Sequence, residues 1–121
     1  MYRYIYIHYV KSIDQLLHPN FKEEALEQAT VISKLGLPAS PGAATGQVVF
    51  SAEDAKEQAE EGHRVVLMRP ETSPEDIEGM ISSEAIVTLR GGMTSHAAVV
   101  ARGMGKCCVC GCQNMIIDYK E

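Results

Sequence analysis

Between residues 47 and 112 short apolar runs alternate with capped helical stretches, and this alternation restricts the fold more than any other feature of the sequence. Residues 47–50 (QVVF), 64–68 (RVVLM), 85–89 (AIVTL) and the cysteine-rich run 107–112 (CCVCGC) have the length of strands and are too short for buried helices. Ser51 precedes AEDAKEQAEE, which Gly62 closes. Ser73 precedes a short helix with Pro74 at its first position and the acids Glu75 and Asp76 behind it, where the helix dipole favours negative charge. A helix of small residues runs from Ala97 to about Arg102. Strands alternating with helices define an α/β fold.

Upstream, Asn20 and Glu23 have capping-box spacing ahead of a helix that Gly36 stops, and residues 37–46 (LPASPGAATG) read as a Pro/Gly-rich connector. The expected organisation is an unassigned tail over 1–11, a linker and helix over 12–37, and one domain over 38–121. The last strand is hardly finished by Asp118, so the domain is expected to be truncated at its C-terminus, as a piece of a larger protein with an unpaired sheet edge.

A chain of 121 residues holds one modest domain. Its net charge of −5 repels a phosphate backbone, which argues against a nucleic-acid partner. No apolar run approaches the roughly 20 residues that cross a bilayer, and residues 1–11 lack the cleavage site of a signal peptide. The expected location is the reducing cytoplasm. Cys107, Cys108, Cys110 and Cys112 admit three readings: disulfides, a zinc or redox module, or a buried strand of small hydrophobes. The strand reading is favoured, because the spacing lacks two separated C-x-x-C pairs. On a strand, Cys108, Cys110 and Cys112 would share one face and Cys107 the other.

Chemistry is most plausible where the third strand runs through Gly91 and Gly92 into His96. Thr94 or Ser95 can cap the following helix, which places His96 in its first turn. There the positive helix end favours an uncharged ring with a lone pair free for attack, and afterwards favours an attached phosphoryl group. Thr94, Ser95 and the backbone at Gly92 can approach that group, and Arg90 or Arg69 can supply charge. The rival account, a surface or capping histidine, is the commoner one for a lone histidine at a helix start. His8, His18 and His63 have no such surroundings in sequence.

Residues 91–106 (GGMTSHAAVVARGMGK) resemble the phosphohistidine signature of the phosphoenolpyruvate (PEP)-utilising enzymes, and within that group the pyruvate, phosphate dikinases. Residues 14–19 (DQLLHP), 37–43 (LPASPGA) and 69–80 (RPETSPEDIEGM) resemble further segments of the same family in the same order, so the likeness covers about residues 12–118. It implies a swivelling β/β/α phosphohistidine domain in which His96 is the catalytic residue, phosphorylated on Nε2. Thr94 matches a threonine that plant members phosphorylate for regulation. The implied partners are an ATP-grasp nucleotide domain and a barrel binding pyruvate or PEP, in a homo-oligomeric parent. ATP and Mg²⁺ are expected there, and no cofactor or metal in this chain, which has no phosphate loop or carboxylate cluster and should not turn over alone. PEP synthases typically place Cys where Ser95 stands, and the sugar-phosphotransferase enzyme I family diverges in the helix; both remain alternatives. Residues 1–10 resemble nothing in the family.

Overall fold

The computed structural model describes residues 4–9 and 36–112. The strands are β1 (Tyr4–Tyr9), β2 (Leu37–Ser40), β3 (Gly42–Val49), β4 (Val65–Arg69), β5 (Ala85–Thr88) and β6 (Cys107–Cys110). The helices are α1 (Ala52–Glu60), α2 (Ile77–Ser82), entered through a 3₁₀ turn at Pro74–Asp76, and α3 (His96–Met104). The strands form a single six-stranded sheet in the order β1-β3-β4-β5-β6-β2.

The architecture follows from the alternation. β3, β4, β5 and β6 pair in parallel, so each connection must cross back over the sheet, and α1, α2 and α3 make those three crossovers. The strand order advances without reversing, and right-handed crossovers therefore put all three helices on one face. Side chains that point toward the helices form one core: Val65, Leu67, Ile86, Cys108 and Cys110 pack against Ala55, Met80, Ala97, Ala98 and Ala101. The alternate residues Val66, Met68, Ala85, Val87 and Cys107 form a second cluster on the opposite face. β4 is buried on both faces, which explains why its sequence is continuously apolar rather than alternating.

No helix of the described residues covers that second face. The sheet covers it by curling. Three strand spacings would set β3 and β6 about 14 Å apart in a flat sheet, yet their Cα atoms come within 8 Å, with Gly42 against Cys107. The two antiparallel strands close the sides, β1 against β3 and β2 against β6. The helical elements start as the sequence indicates: the Ser51 hydroxyl accepts from the Asp54 N–H at 3.1 Å, and Ser73 and Asp76 form a capping box around Pro74.

Three readings change. Residues 37–46 are not a connector but β2 and the first half of β3, and β3 starts five residues before the apolar run that marked it. Pro38 is tolerated because β2 is an edge strand, where a missing N–H costs no interior ladder bond. β6 is an interior strand with β2 on its outer side. Cys112 joins Cys107 on the helix-free side rather than Cys108 and Cys110. Gly111 adopts φ +71 between them, a left-handed step that breaks the two-residue alternation. Residues 4–9, left unassigned in the sequence, run as β1 along β3 from Tyr4 opposite Gln47 to Tyr9 opposite Gly42. The helix expected over residues 20–36 lies outside the described residues apart from Gly36.

Candidate active site

β4 and β5 end side by side, and their pairing continues past the strand ends: Leu89 N–H donates to the Arg69 carbonyl at 3.2 Å and Arg90 N–H to the Pro70 carbonyl at 3.0 Å. Two loops therefore leave the carboxyl ends of adjacent parallel strands together, the usual position of sites in α/β sheets. The first carries Thr72 and the second leads to His96.

The second loop is shaped by short polar contacts. Thr88 Oγ1 donates to the Arg90 carbonyl at 2.8 Å. Gly91 has φ +100, and a Cβ there would stand 2.9 Å from Ser95 Cβ, so only glycine suits both the dihedral and the space. Ser95 donates its hydroxyl proton to the Gly92 carbonyl at 2.7 Å and accepts from the Ala98 N–H at 3.4 Å. Of the two candidate caps, Ser95 is the one used. Its one proton is spent on the loop, so in this arrangement it fixes the helix start and has no proton to offer a ligand. His96 is thereby the first residue of α3, and Gly105 at φ 70 ends that helix.

His96 is half-buried, and Thr72 Oγ1 lies 2.9 Å from its Nδ1. The contact admits two arrangements. If the hydroxyl donates, Nδ1 is the lone-pair nitrogen; if Nδ1–H donates to the hydroxyl oxygen, the lone pair is on Nε2. Only the second leaves a nucleophile that is not already hydrogen-bonded, since Nε2 has no hydrogen-bond partner among the described residues. Thr72 is the residue that sequence reasoning missed. Its segment, 69–80, was recognised, but nothing in a separation of 24 residues indicates that it meets His96.

The remaining candidates are dispersed. Thr94 and Met93 are exposed beside the helix start, and Gly92 is partly so. Arg90 is exposed and its Nε pairs with Glu71 Oε1 at 3.3 Å, on the residue next to Thr72. Arg69 faces elsewhere: Nη1 donates to the Phe50 carbonyl at 3.0 Å, and Nε lies 4.0 Å from Asp76 Oδ2, the same oxygen that receives the Ser73 N–H at 3.0 Å. Arg69 thus ties β4 to the start of α1 and to the 3₁₀ turn. His63 sits before β4, at the opposite ends of the strands, with Nδ1 3.3 Å from Gln47 Nε2.

The four cysteines are free thiols, buried and divided between the two faces of the sheet. No group of three His, Cys, Asp or Glu among the described residues is placed to hold a metal ion. Cys110 nevertheless touches the site. Its Sγ is 3.7 Å from Ser95 Oγ and 3.6 Å from Cys108 Sγ. The Cys108 thiol beside it lowers the Cys110 thiol to about 6, burial opposes this, and the charge of Arg102 adds to the lowering. Burial alone raises Cys107 to about 12.

A glycine turn, a serine cap and a helix-start histidine paired through Nδ1 thus come together at the carboxyl ends of β4 and β5. The family described as PEP-utilising enzyme, mobile domain, matches residues 61–121, half of the chain. The chain belongs to this family. It is 63% identical over 108 residues to the pyruvate, phosphate dikinase of Clostridium symbiosum, covering 89% of this chain and 12% of that protein. It is 58% identical over 106 residues to the chloroplastic pyruvate, phosphate dikinase 1 of Arabidopsis thaliana, covering 88% and 11%. It is also 58% identical over 109 residues to pyruvate, phosphate dikinase 2 of Zea mays, covering 90% and 12%. The chain thus spans about an eighth of the length of the curated relatives it matches. No helix of the described residues is long and apolar enough to cross a membrane.

Proposed function

We propose that this chain is the phosphohistidine carrier portion of a pyruvate, phosphate dikinase, which interconverts ATP, phosphate and pyruvate with AMP, pyrophosphate and PEP. The observation that carries the reading is the 2.9 Å contact of Thr72 Oγ1 with His96 Nδ1 at the first residue of α3. With Nδ1–H donating to Thr72, the Nε2 lone pair attacks the donor phosphorus. The N–P bond forms as the P–O bond to the donor breaks, and that electron pair leaves on the donor oxygen. Charge that develops on the ring is shared with Nδ1–H, where Thr72 accepts the hydrogen bond. The start of α3, with Thr94 exposed next to it, presents N–H groups toward the anionic adduct. Reversal of the same step passes the phosphoryl group on.

The names and identity of the relatives support the dikinase over the PEP synthase and enzyme I alternatives. On this reading ATP and Mg²⁺ are held by an ATP-grasp region, pyruvate or PEP by a barrel, and the domain swivels between them within a homo-oligomeric parent. Four free thiols suit a reducing compartment such as the cytoplasm. Regulation through Thr94 is part of the same proposal, motivated by its exposure beside His96.

The test is a chimera in which this chain replaces the matching span of the Clostridium symbiosum enzyme. The chimera should form PEP from ATP, phosphate and pyruvate, and intact mass should show one acid-labile phosphoryl adduct that His96→Ala abolishes. An adduct that survives His96→Ala refutes the assignment. An adduct without PEP formation would retain the histidine and refute the dikinase.

A further inference from the structure

The loop that delivers His96 has little packing to hold it. Gly92 has no heavy atom within 4 Å of where a Cβ would stand, and Met93 and Thr94 are exposed. Its hold comes from polar contacts: Thr88 and Ser95 bond inside the loop, Arg90 bonds to the Pro70 carbonyl and pairs with Glu71 at its start, and its exposed middle is held from α3. Arg102 Nη2 donates to the Met93 carbonyl at 2.6 Å, while Nη1 of the same guanidinium donates to the Ala39 carbonyl on β2 at 3.0 Å.

We propose that Arg102 is a positioning residue for His96, its guanidinium clamping the Met93 carbonyl of the active-site loop to edge strand β2. Arg102 lies six residues after His96, about 9 Å along the helix axis, and helical side chains lean back toward the N-terminus, so α3 reaches over its own length to hold the loop that starts it. One planar fork satisfies two carbonyls from two elements that are remote in sequence. With Met93 fixed, Thr94 and the Ser95 cap, and through the cap the His96 ring, keep one position relative to Thr72. This inference rests on the phosphohistidine reading for its consequence in rate, but the hold itself is measurable without it.

A plainer role exists for a basic residue in the last turn of a helix, where its charge complements the dipole. Lysine preserves that charge but offers a compact ammonium in place of a fork spanning two carbonyls. The experiment therefore compares Arg102→Ala and Arg102→Lys in the full chain by two readouts. The first is amide hydrogen exchange at Ser95 and Ala98, whose N–H groups bond to Gly92 O and Ser95 Oγ. The second is the initial rate of His96 phosphorylation by phosphoramidate, a small donor that needs no partner domain.

In both variants the two amides should exchange about tenfold faster and the rate should fall about tenfold, the scale expected when a reacting group loses its fixed geometry. Amides of β4 and β5 and the urea midpoint of Arg102→Lys should stay at their wild-type values. Wild-type exchange at Ser95 and Ala98 in Arg102→Ala overturns the proposal. So does an Arg102→Lys protein that matches wild type in both readouts, since charge alone would then suffice. If wild-type protein takes no phosphoryl group on His96 under any donor, the phosphohistidine reading fails instead, and the exchange data still decide whether Arg102 clamps the loop.

Discussion

Thr72→Val tests the core of the site with the smallest change in shape. Valine keeps the branched Cβ and replaces the hydroxyl with a methyl, so the ring of His96 loses its hydrogen-bond partner at 2.9 Å and little else. A net hydrogen bond of this neutral kind is worth about 0.5–1.5 kcal/mol. If all of it serves to keep Nδ1–H donating and the lone pair on Nε2, the rate of phosphorylation falls by about 2- to 12-fold. Stability should change by less than about 1 kcal/mol, because His96 is only half-buried and water can take over Nδ1. Thr72→Ser, which keeps the hydroxyl, should stay within about twofold of wild type. The rate is read from intact mass after timed exposure to phosphoramidate, and the bonded nitrogen from the ³¹P and ring ¹⁵N resonances of the product. Wild type should carry the group on Nε2 alone, whereas the valine variant should give a mixture of both nitrogens. A valine variant that reacts at the wild-type rate and only on Nε2 would refute the idea that Thr72 sets the tautomer.

Three further outcomes follow from the packing and the caps. Gly79→Ala places a Cβ 2.5 Å from Ala52 Cα and 2.8 Å from the Ala52 carbonyl oxygen; backbone atoms cannot give way cheaply, so α1 and α2 must separate, and a loss of about 1–3 kcal/mol should appear as a lower urea midpoint. Ser95→Ala removes the cap of α3 and the Gly92 contact together, costing about 0.5–2 kcal/mol and slowing phosphorylation, whereas a variant with unchanged stability would show the cap to be dispensable. The last concerns pH. The Cys110 thiol is lowered from its ordinary 9.0 to about 6, so its stabilising contribution is complete above pH 9 and is lost as pH falls from 9 through 6. The stability difference between wild type and Cys110→Ser should therefore grow between pH 6.5 and 8.5, by on the order of 1 kcal/mol per pH unit. A difference that is flat across that range, read from urea midpoints, would contradict the lowered thiol.

Much of the domain was legible along the chain because its signals are local. Ser51, Ser73 with Pro74, and Ser95 sit at helix starts, and capping chemistry involves only the next three or four residues. The fully apolar runs at β4 and β5 announced strands buried on both faces. The Pro/Gly-rich stretch over 37–46 misled, because its composition describes turns while its pairing to β4, β6 and β1 is long-range. Cys112 was placed on the wrong face because strand periodicity was carried through Gly111, whose left-handed backbone depends on the surrounding fold.

The sequence by itself determined the α/β alternation, the helix starts and the family, since each is encoded within a few neighbouring residues or in a continuous motif, and it singled out His96 as the candidate reacting residue. Tertiary structure decided what surrounds that residue. Thr72 reaches His96 only because β4 and β5 are adjacent parallel strands whose loops leave at the same end, and Arg102 meets Ala39 only because β2 pairs with β6 beside α3. Arg69, equal to Arg90 as a candidate in the sequence, is drawn instead to Phe50 and Asp76. The contacts of His96 with Thr72 and of Arg102 with Ala39 join residues 24 and 63 positions apart, and their partners are chosen by strand order and crossover hand, which no local pattern specifies.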